Sequence, residues 1–224
     1  RSFMRTLMPG SSVTGIEYLR RETSAGPTLL VCNHLAYCDT QIKDLLFADN
    51  GAADLASKLV VVAGPKVYDD TFRRMASMGL NTLKTAQSAA LTHNEKNLSP
   101  REIASIALGT VRTAHKEMHR GNMVLVYAEG ARSRTGRLGP FLKAVRKYLQ
   151  VENCRIVPMA LTGSQWMMPL SEVKMAPHPV QLRIGEPVKV EGLGTLGAMK
   201  EVWSSIADML PDQQKPEIGI EPVI

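Results

Sequence analysis

The chain has 224 residues, of which 44% are hydrophobic and 21% charged, enough for one domain with a sizeable core or at most two small ones. Its 27 basic and 21 acidic residues leave a net charge of +6, which favours anionic partners such as phosphate esters, acidic carrier proteins, anionic lipid surfaces or nucleic acid. No apolar run reaches bilayer length, Leu59-Val60-Val61-Val62-Ala63 being only a strand. The first ten residues carry two arginines and no apolar segment of the secretory-signal type. Aromatic residues make up 5% of the chain and the basic ones are scattered, so no stacking platform for nucleic acid is expected. Cys32, Cys38 and Cys154 form no C-x-x-C pair and read as reduced thiols of a cytosolic protein.

Taken in order, residues 1–12 form an N-terminal segment in which Phe3, Met4, Leu7 and Met8 alternate with Arg1 and Arg5. It reads as a membrane-proximal amphipathic end or as a frayed terminus. Val13 to Leu19 alternates like an edge strand, and a polar loop closes on Gly26-Pro27. The run from Thr28 reads as a buried strand that ends at Asn33, and after a short turn helical spacing begins at Asp39 or Thr40. Asp49-Asn50-Gly51 is a turn, and Lys58 to Ala63 a second buried strand. A helix-like segment covers about Asp70 to Met78, a short strand Leu80 to Thr85, and a polar surface loop Gln87 to Ser99. Ser99-Pro100-Arg101-Glu102 is a capping box with Pro at the first helical position, opening a long helix to about His119. Met123 to Ala128 is a third buried strand. A helix near Pro140 to Gln150, a strand Arg155 to Leu161, a strand pair Val180 to Ile184 and Val188 to Val190, and a closing helix Leu196 to Leu210 follow. Residues 211–224 read as a loose tail. Strands alternating with helices over 13–210 predict a single α/β layered domain with a mostly parallel central sheet flanked by helices.

The chemistry gathers where strands stop. Asn33-His34-Leu35-Ala36-Tyr37-Cys38-Asp39 places a histidine at a strand end and a carboxylate at a helix start, with a turn between that lets the two meet. A carboxylate on one ring nitrogen fixes the tautomer and frees the other nitrogen to take a proton. Asp39 is also a natural helix cap. Basic residues follow three strands: Lys66, Lys84, and the pair Arg132 and Arg134 in Glu129-Gly130-Ala131-Arg132-Ser133-Arg134. In a parallel sheet these cations share an edge with His34, and Arg forks with Gly-turn amides suit a phosphate.

Other patterns compete. His115, Glu117 and His119 form H-x-E-x-H on the long helix, without a third ligand, and read as a solvated face. Cys38 offers a thiol beside His34, though a packed, hydrophobe-like cysteine fits better. The apolar stretch Gln165-Trp166-Met167-Met168-Pro169-Leu170 reads as an acyl groove or lipid contact, or equally as a satellite core.

Four blocks together resemble the glycerolipid acyltransferases, the family of glycerol-3-phosphate and 1-acylglycerol-3-phosphate (lysophosphatidate) enzymes. Asn33 to Asp39 is similar to that family's N-H-x-x-x-x-D block, Glu129 to Arg134 to its E-G-T-R-S-R block, and Ile156 to Ala160 to its V-P-V block. Val62 to Lys66 through Ser77 to Asn81 resembles its middle block. The order and spacing hold from about Val13 to Val190. Ala36 stands where many members have Ser, Ala131 where they have Thr, and Lys84 where lysophosphatidate enzymes often have Arg. Ser88-Ala89-Ala90 lacks the Lys-His pair of the plastid-type enzymes, which leaves the acceptor open.

The resemblance implies a glycerol-3-phosphate acyltransferase-like fold and a catalytic dyad of His34 and Asp39. It implies that Arg132, Arg134 and Lys66 hold the acceptor's phosphate in a loop shaped by Glu129 and Gly130. Acyl-CoA or acyl-carrier protein is the implied donor, and glycerol 3-phosphate or a lysophospholipid the acceptor, with no metal or other cofactor. The expected setting is cytoplasmic, peripheral to the inner face of a membrane. Two alternatives stand beside it: a thioesterase or Cys-His hydrolase using Cys38, and a non-catalytic lipid- or carrier-binding module.

Overall fold

Runs of valine, leucine and isoleucine without polar interruption become strands buried on both faces. A computed structural model describes residues 2–69, 77–86, 98–169 and 174–224. In it the apolar runs form β2 (Thr28–Cys32), β3 (Leu59–Ala63), β5 (Met123–Tyr127) and β6 (Arg155–Thr162), joined by β1 (Ser12–Thr14), β4 (Asn81–Lys84), β7 (Gln181–Ile184) and β8 (Val188–Lys189). They make one sheet in the order β1-β7-β6-β2-β5-β3-β4, with β8 beside β6. Strands β6, β2, β5, β3 and β4 are mutually parallel. Strands β7 and β8 each run antiparallel to β6. The helices are α1 (Ser2–Thr6), α2 (Ile16–Ala25), α3 (Asp39–Asp49), α4 (Ala53–Ser57), α5 (Lys66–Asp69), α6 (Pro100–His119), α7 (Ser164–Met167) and α8 (Gly194–Met209).

The alternation of side chains along each strand divides the core into two layers. Leu30, Cys32 and Leu125 face Ile42, Leu45 and Phe47 of α3. Leu29, Val31 and Val124 face Val111, Ala114 and Met118 of α6 and Val202 and Ile206 of α8. The mostly parallel sheet flanked by helices is the architecture expected from the sequence. The capping box of α6 is also present, Ser99 accepting from the Glu102 amide while the Glu102 carboxylate accepts from the Ser99 amide.

Several local expectations give way to packing. Only Ser12–Thr14 of the alternating stretch is strand; Gly15 turns left-handed at φ 78 and the chain enters α2, where a strand tail and polar loop were expected. The reason is tertiary, since a Cβ on Gly15 would stand 2.1 Å from the Ile184 carbonyl oxygen. The segment before β1 is not frayed: Leu7 and Met8 are buried, and Arg5 pairs with Asp49 at the end of α3. The two late strands do not pair with each other but both lie against β6. Only Lys143–Leu149 of the segment near Pro140 is helical, as a 3-10 helix, and α4 has no counterpart in the sequence expectations. The tail is tied down rather than loose. The Phe141 amide donates to the Pro222 carbonyl, the Ile224 amide to the Phe141 carbonyl and the Lys143 amide to the Ile224 carbonyl, while Val223 and Gln214 are buried. The helix-like segment from Asp70 and the polar loop from Gln87 lie, apart from their last residues, outside the described residues.

Replacing Gly15 with alanine forces a Cβ into the Ile184 backbone at a positive φ. The variant Gly15→Ala is expected to lose more than about 2 kcal/mol of stability. Urea unfolding reads this as a lower midpoint at unchanged slope.

Candidate active site

The end of β2 is fixed before the turn begins. Asn33 donates to the Leu161 carbonyl at 2.9 Å and accepts from the Leu161 amide at 2.8 Å, so its side chain extends the pairing of β2 with β6. The turn that follows folds back on the first residue of α3. One oxygen of Asp39, Oδ2, accepts from the amides of Leu35 at 2.7 Å and Ala36 at 3.0 Å, and from His34 Nδ1 at 2.8 Å. Asp39 therefore does not cap the helix ahead of it; it closes the turn behind it.

The electrostatics of the pair follow from burial and neighbours. Burial pushes the Asp39 carboxyl up, but the hydrogen bond and charge of His34, the Lys43 ammonium and the Leu35 amide together hold it below its ordinary value. Burial lowers His34 from its ordinary value, helped by repulsion from Lys43 and Arg132 and opposed by Asp39. The outcome is an ionised Asp39 and a neutral imidazole whose Nδ1–H donates to it, leaving Nε2 with a lone pair. Among the described residues no group hydrogen-bonds Nε2.

The loop after β5 packs on this turn. Gly130 takes a positive φ of 73 and donates to the Tyr127 carbonyl at 2.9 Å, and the Ser133 amide donates to the His34 carbonyl at 2.8 Å. Glu129 was expected to shape the loop that holds the phosphate, and its two oxygens tie that loop to the histidine turn. Oε1 accepts from the His34 amide at 3.0 Å and Oε2 from the Gly139 amide at 2.9 Å. A carboxylate so engaged braces the turn and would repel an anion. Burial raises it to about 7, against the pull of the Gly139 and His34 amides. Arg132 carries its guanidinium 3.3 Å from the centroid of the Tyr37 ring, inside the same turn, and its charge is felt at His34. Arg134 is exposed on the same loop. Lys66 begins α5 after β3, and its side chain lies outside the described part of the structure. The carboxyl ends of β3 and β4 are in register, Ala63 beside Lys84, so that cation belongs to the same sheet edge.

Three further residues enter the site without having been singled out from the sequence. The Tyr127 ring stacks on the His34 imidazole at 4.0 Å between centroids and 19° between planes. Its hydroxyl lies 2.9 Å from Thr40 Oγ1. Lys43 is fully buried, with Nζ 3.2 Å from the Asp39 carbonyl oxygen and 3.4 Å from the Tyr127 hydroxyl. Burial opposes its charge, but Cys32, Tyr127 and Asp39 outweigh that and raise its pKa. The available signal was a lysine four residues after Asp39, on the same helical face, amid apolar neighbours.

The competing patterns are otherwise occupied. His115 donates to the Lys147 carbonyl at 2.9 Å, and Glu117 accepts from Arg120 and Asn122. Cys38 is buried, and burial pushes its thiol up to about 12, far from a thiolate nucleophile. In the apolar stretch after β6, Met167 belongs to the core while Trp166 is 55% exposed, its ring 5.0 Å from that of His178.

Fold and turn together define an α/β domain with a hydrogen-bonded histidine–aspartate pair at the carboxyl edge of its sheet and an arginine-bearing loop beside it. The profile of the Acyltransferase family matches residues 10–162, and the chain belongs to that family. A 1-acyl-sn-glycerol-3-phosphate acyltransferase of Cocos nucifera is 27% identical over 119 residues, 51% of this chain and 39% of that protein. One from Limnanthes douglasii is 29% identical over 115 residues, 49% of this chain and 41% of that protein. The matches thus span about two fifths of those relatives' lengths. The crystal structure of the 1-acyl-sn-glycerophosphate (LPA) acyltransferase of Thermotoga maritima superposes with a TM-score of 0.62 at 19% identity, covering 92% of this chain and 72% of that one. It has the same fold. Among the described residues no helix is long and apolar enough to cross a membrane.

Glu129 gives a signed pH prediction. Its folded value of about 7 lies above that of an unfolded glutamate, so its contribution to stability is full below about pH 4.5 and lost as pH rises to about 7. Glu129→Gln should therefore destabilise more at pH 5 than at pH 8, by less than the roughly 3 kcal/mol of a fully buried group, since the side chain is only partly buried. Urea unfolding of both proteins at the two pH values measures it.

Proposed function

We propose that the chain is an O-acyltransferase that moves a fatty acyl group from acyl-CoA or acyl-carrier protein to the hydroxyl of a phosphorylated glycerol, with a 1-acylglycerol-3-phosphate as the preferred acceptor. The observation that carries this reading is the 2.8 Å contact of His34 Nδ1 with the buried Asp39 carboxylate, which leaves Nε2 as the base. Membership of the acyltransferase family and the names of the two plant relatives support the choice of reaction and acceptor.

In this mechanism Nε2 removes the proton of the acceptor hydroxyl as its oxygen attacks the thioester carbonyl. The tetrahedral intermediate collapses with cleavage of the C–S bond, and the imidazolium returns its proton to the leaving thiolate. Asp39 stabilises the imidazolium while it lasts, and no acyl-enzyme forms. The Arg132 guanidinium, which stands over the Tyr37 ring, is the fork that suits the acceptor phosphate, and Arg134 adds positive charge from the loop rim. Glu129 keeps the arginine loop and the histidine turn in one geometry through the His34 and Gly139 amides. The net positive charge, together with exposed Phe3 and Trp166, supports a peripheral position on an anionic membrane, where acyl chains reside.

Labelled acyl transfer from acyl-CoA and acyl-carrier protein to glycerol 3-phosphate and a set of lysophospholipids tests the assignment. His34→Ala should lower kcat by roughly 10²–10⁴-fold. In the wild type the acid limb of kcat/KM should include an ionisation below the ordinary histidine value, because the largely desolvated ring resists protonation. Activity undiminished in His34→Ala would make the fold a binding module, and acyl release without any acceptor would make it a hydrolase. Arg132→Ala should raise KM for the phosphorylated acceptor by about 10- to 100-fold while leaving KM for the donor largely unchanged.

A further inference from the structure

Lysine is almost never fully buried without a task or a partner, and Lys43 is among the largest of the fully buried side chains. Among the described residues its ammonium approaches no carboxylate oxygen as a salt-bridge partner. It donates instead to the carbonyl of Asp39 and to the hydroxyl of Tyr127, 4.9 Å from the centroid of that ring. The Tyr127 hydroxyl also shares a hydrogen bond with Thr40 Oγ1 at 2.9 Å. Lys43, Thr40 and Asp39 share the first two turns of α3, so one helix end holds the phenol. The other face of this arrangement is the stack of Tyr127 on His34. The imidazole is thus gripped at its edge by Asp39 and on its plane by a phenol that Lys43 anchors.

We infer that Lys43 is a positioning residue of the dyad, holding Tyr127 flat against His34 and setting a permanent buried positive charge beside the imidazole. This rests on the reading of His34 as the base. The charge has a chemical purpose. Asp39 alone would draw a proton onto the ring, and an imidazolium cannot accept one from a hydroxyl. A cation behind the phenol opposes that pull while leaving the carboxylate ionised to orient Nδ1. The groups acting on His34 are Asp39 and Lys43 of α3, Tyr127 at the end of β5, and Arg132 in the following loop, with Glu129 touching its backbone amide. Lys43 is the cation among them that is sealed from solvent and so escapes screening by salt.

The test is read on the protein itself as well as on turnover. Nuclear magnetic resonance of ring-labelled histidine follows the titration of His34 in the wild type and in Lys43→Met, which fills the same space without charge. The midpoint should rise in the variant by on the order of one pH unit. In the acyl-transfer assay kcat at pH 6.5 should fall about 10-fold, with KM for both substrates unchanged. A side chain that merely fills the core would lower the melting temperature and leave the midpoint where it was; that result overturns the inference. Should Lys43→Met fail to fold, Lys43→Gln keeps a donor for the same two oxygens and removes the charge, with the same two readings. In the wild type, side-chain amine resonances of labelled lysine should show Lys43 as an ammonium at pH 8, and a neutral amine there also overturns it. The titration needs no substrate, so loss of the proposed reaction and loss of this role are separate outcomes.

Discussion

A single carboxylate oxygen, Asp39 Oδ2, takes three hydrogen bonds from one short turn: two backbone amides and a ring nitrogen. Because the amides belong to Leu35 and Ala36, the bonds that shape the turn also aim the imidazole. A side chain placed by packing alone could rotate, whereas this one is oriented by the same acceptor that closes its own backbone. Everything else at the edge of the sheet is arranged about that acceptor. Asn33 stops β2 from fraying ahead of it, Glu129 ties the next loop to the His34 amide, and Tyr127 covers the ring.

The parallel sheet explains why these residues meet. Cys32 lies opposite both Tyr127 on β5 and Met159 on β6, so the segments following β2 and β5 leave the sheet side by side. Asn33 reaches Leu161 across the other boundary, to β6. Residues 95 positions apart in sequence thereby share hydrogen bonds. An edge of this kind, beyond the carboxyl ends of strands, is where open α/β sheets bind ligands. The groups found there are unlike in purpose: Asp39 is buried and ionised, Glu129 is pushed up to about 7 by burial, and Arg132 lies against an aromatic face.

Much of this could be read from the sequence because the signals are local. The apolar run before Asn33, the helical spacing after Asp39 and the Ser99–Glu102 box each depend on neighbours within one turn, and each element formed where expected. The His34–Asp39 contact was legible for the same reason. Where the fold departs from expectation, the cause lies far along the chain. Val13 to Leu19 alternates, yet the chain turns left-handed at Gly15 and enters a helix, at a point where the Ile184 carbonyl leaves room for no Cβ. The polar tail looks loose until Phe141 supplies it with a strand-like partner. Glu129 read as a residue that shapes the arginine loop, but how it does so depends on the distant amides of His34 and Gly139. Lys43 was passed over because a lysine on a helix is usually solvated, and nothing local showed Tyr127, 84 residues away, above it.

The amide of Asn33 carries a consequence of its own. Its donor faces the Leu161 carbonyl at 2.9 Å and its acceptor the Leu161 amide at 2.8 Å, a polarity that cannot be reversed or halved. An aspartate of the same size would set a negative oxygen against that carbonyl with no hydrogen between them. Hydrolytic ageing of this one amide would therefore pry β2 away from β6 at the point from which the histidine springs, while altering the mass of the chain by barely a dalton.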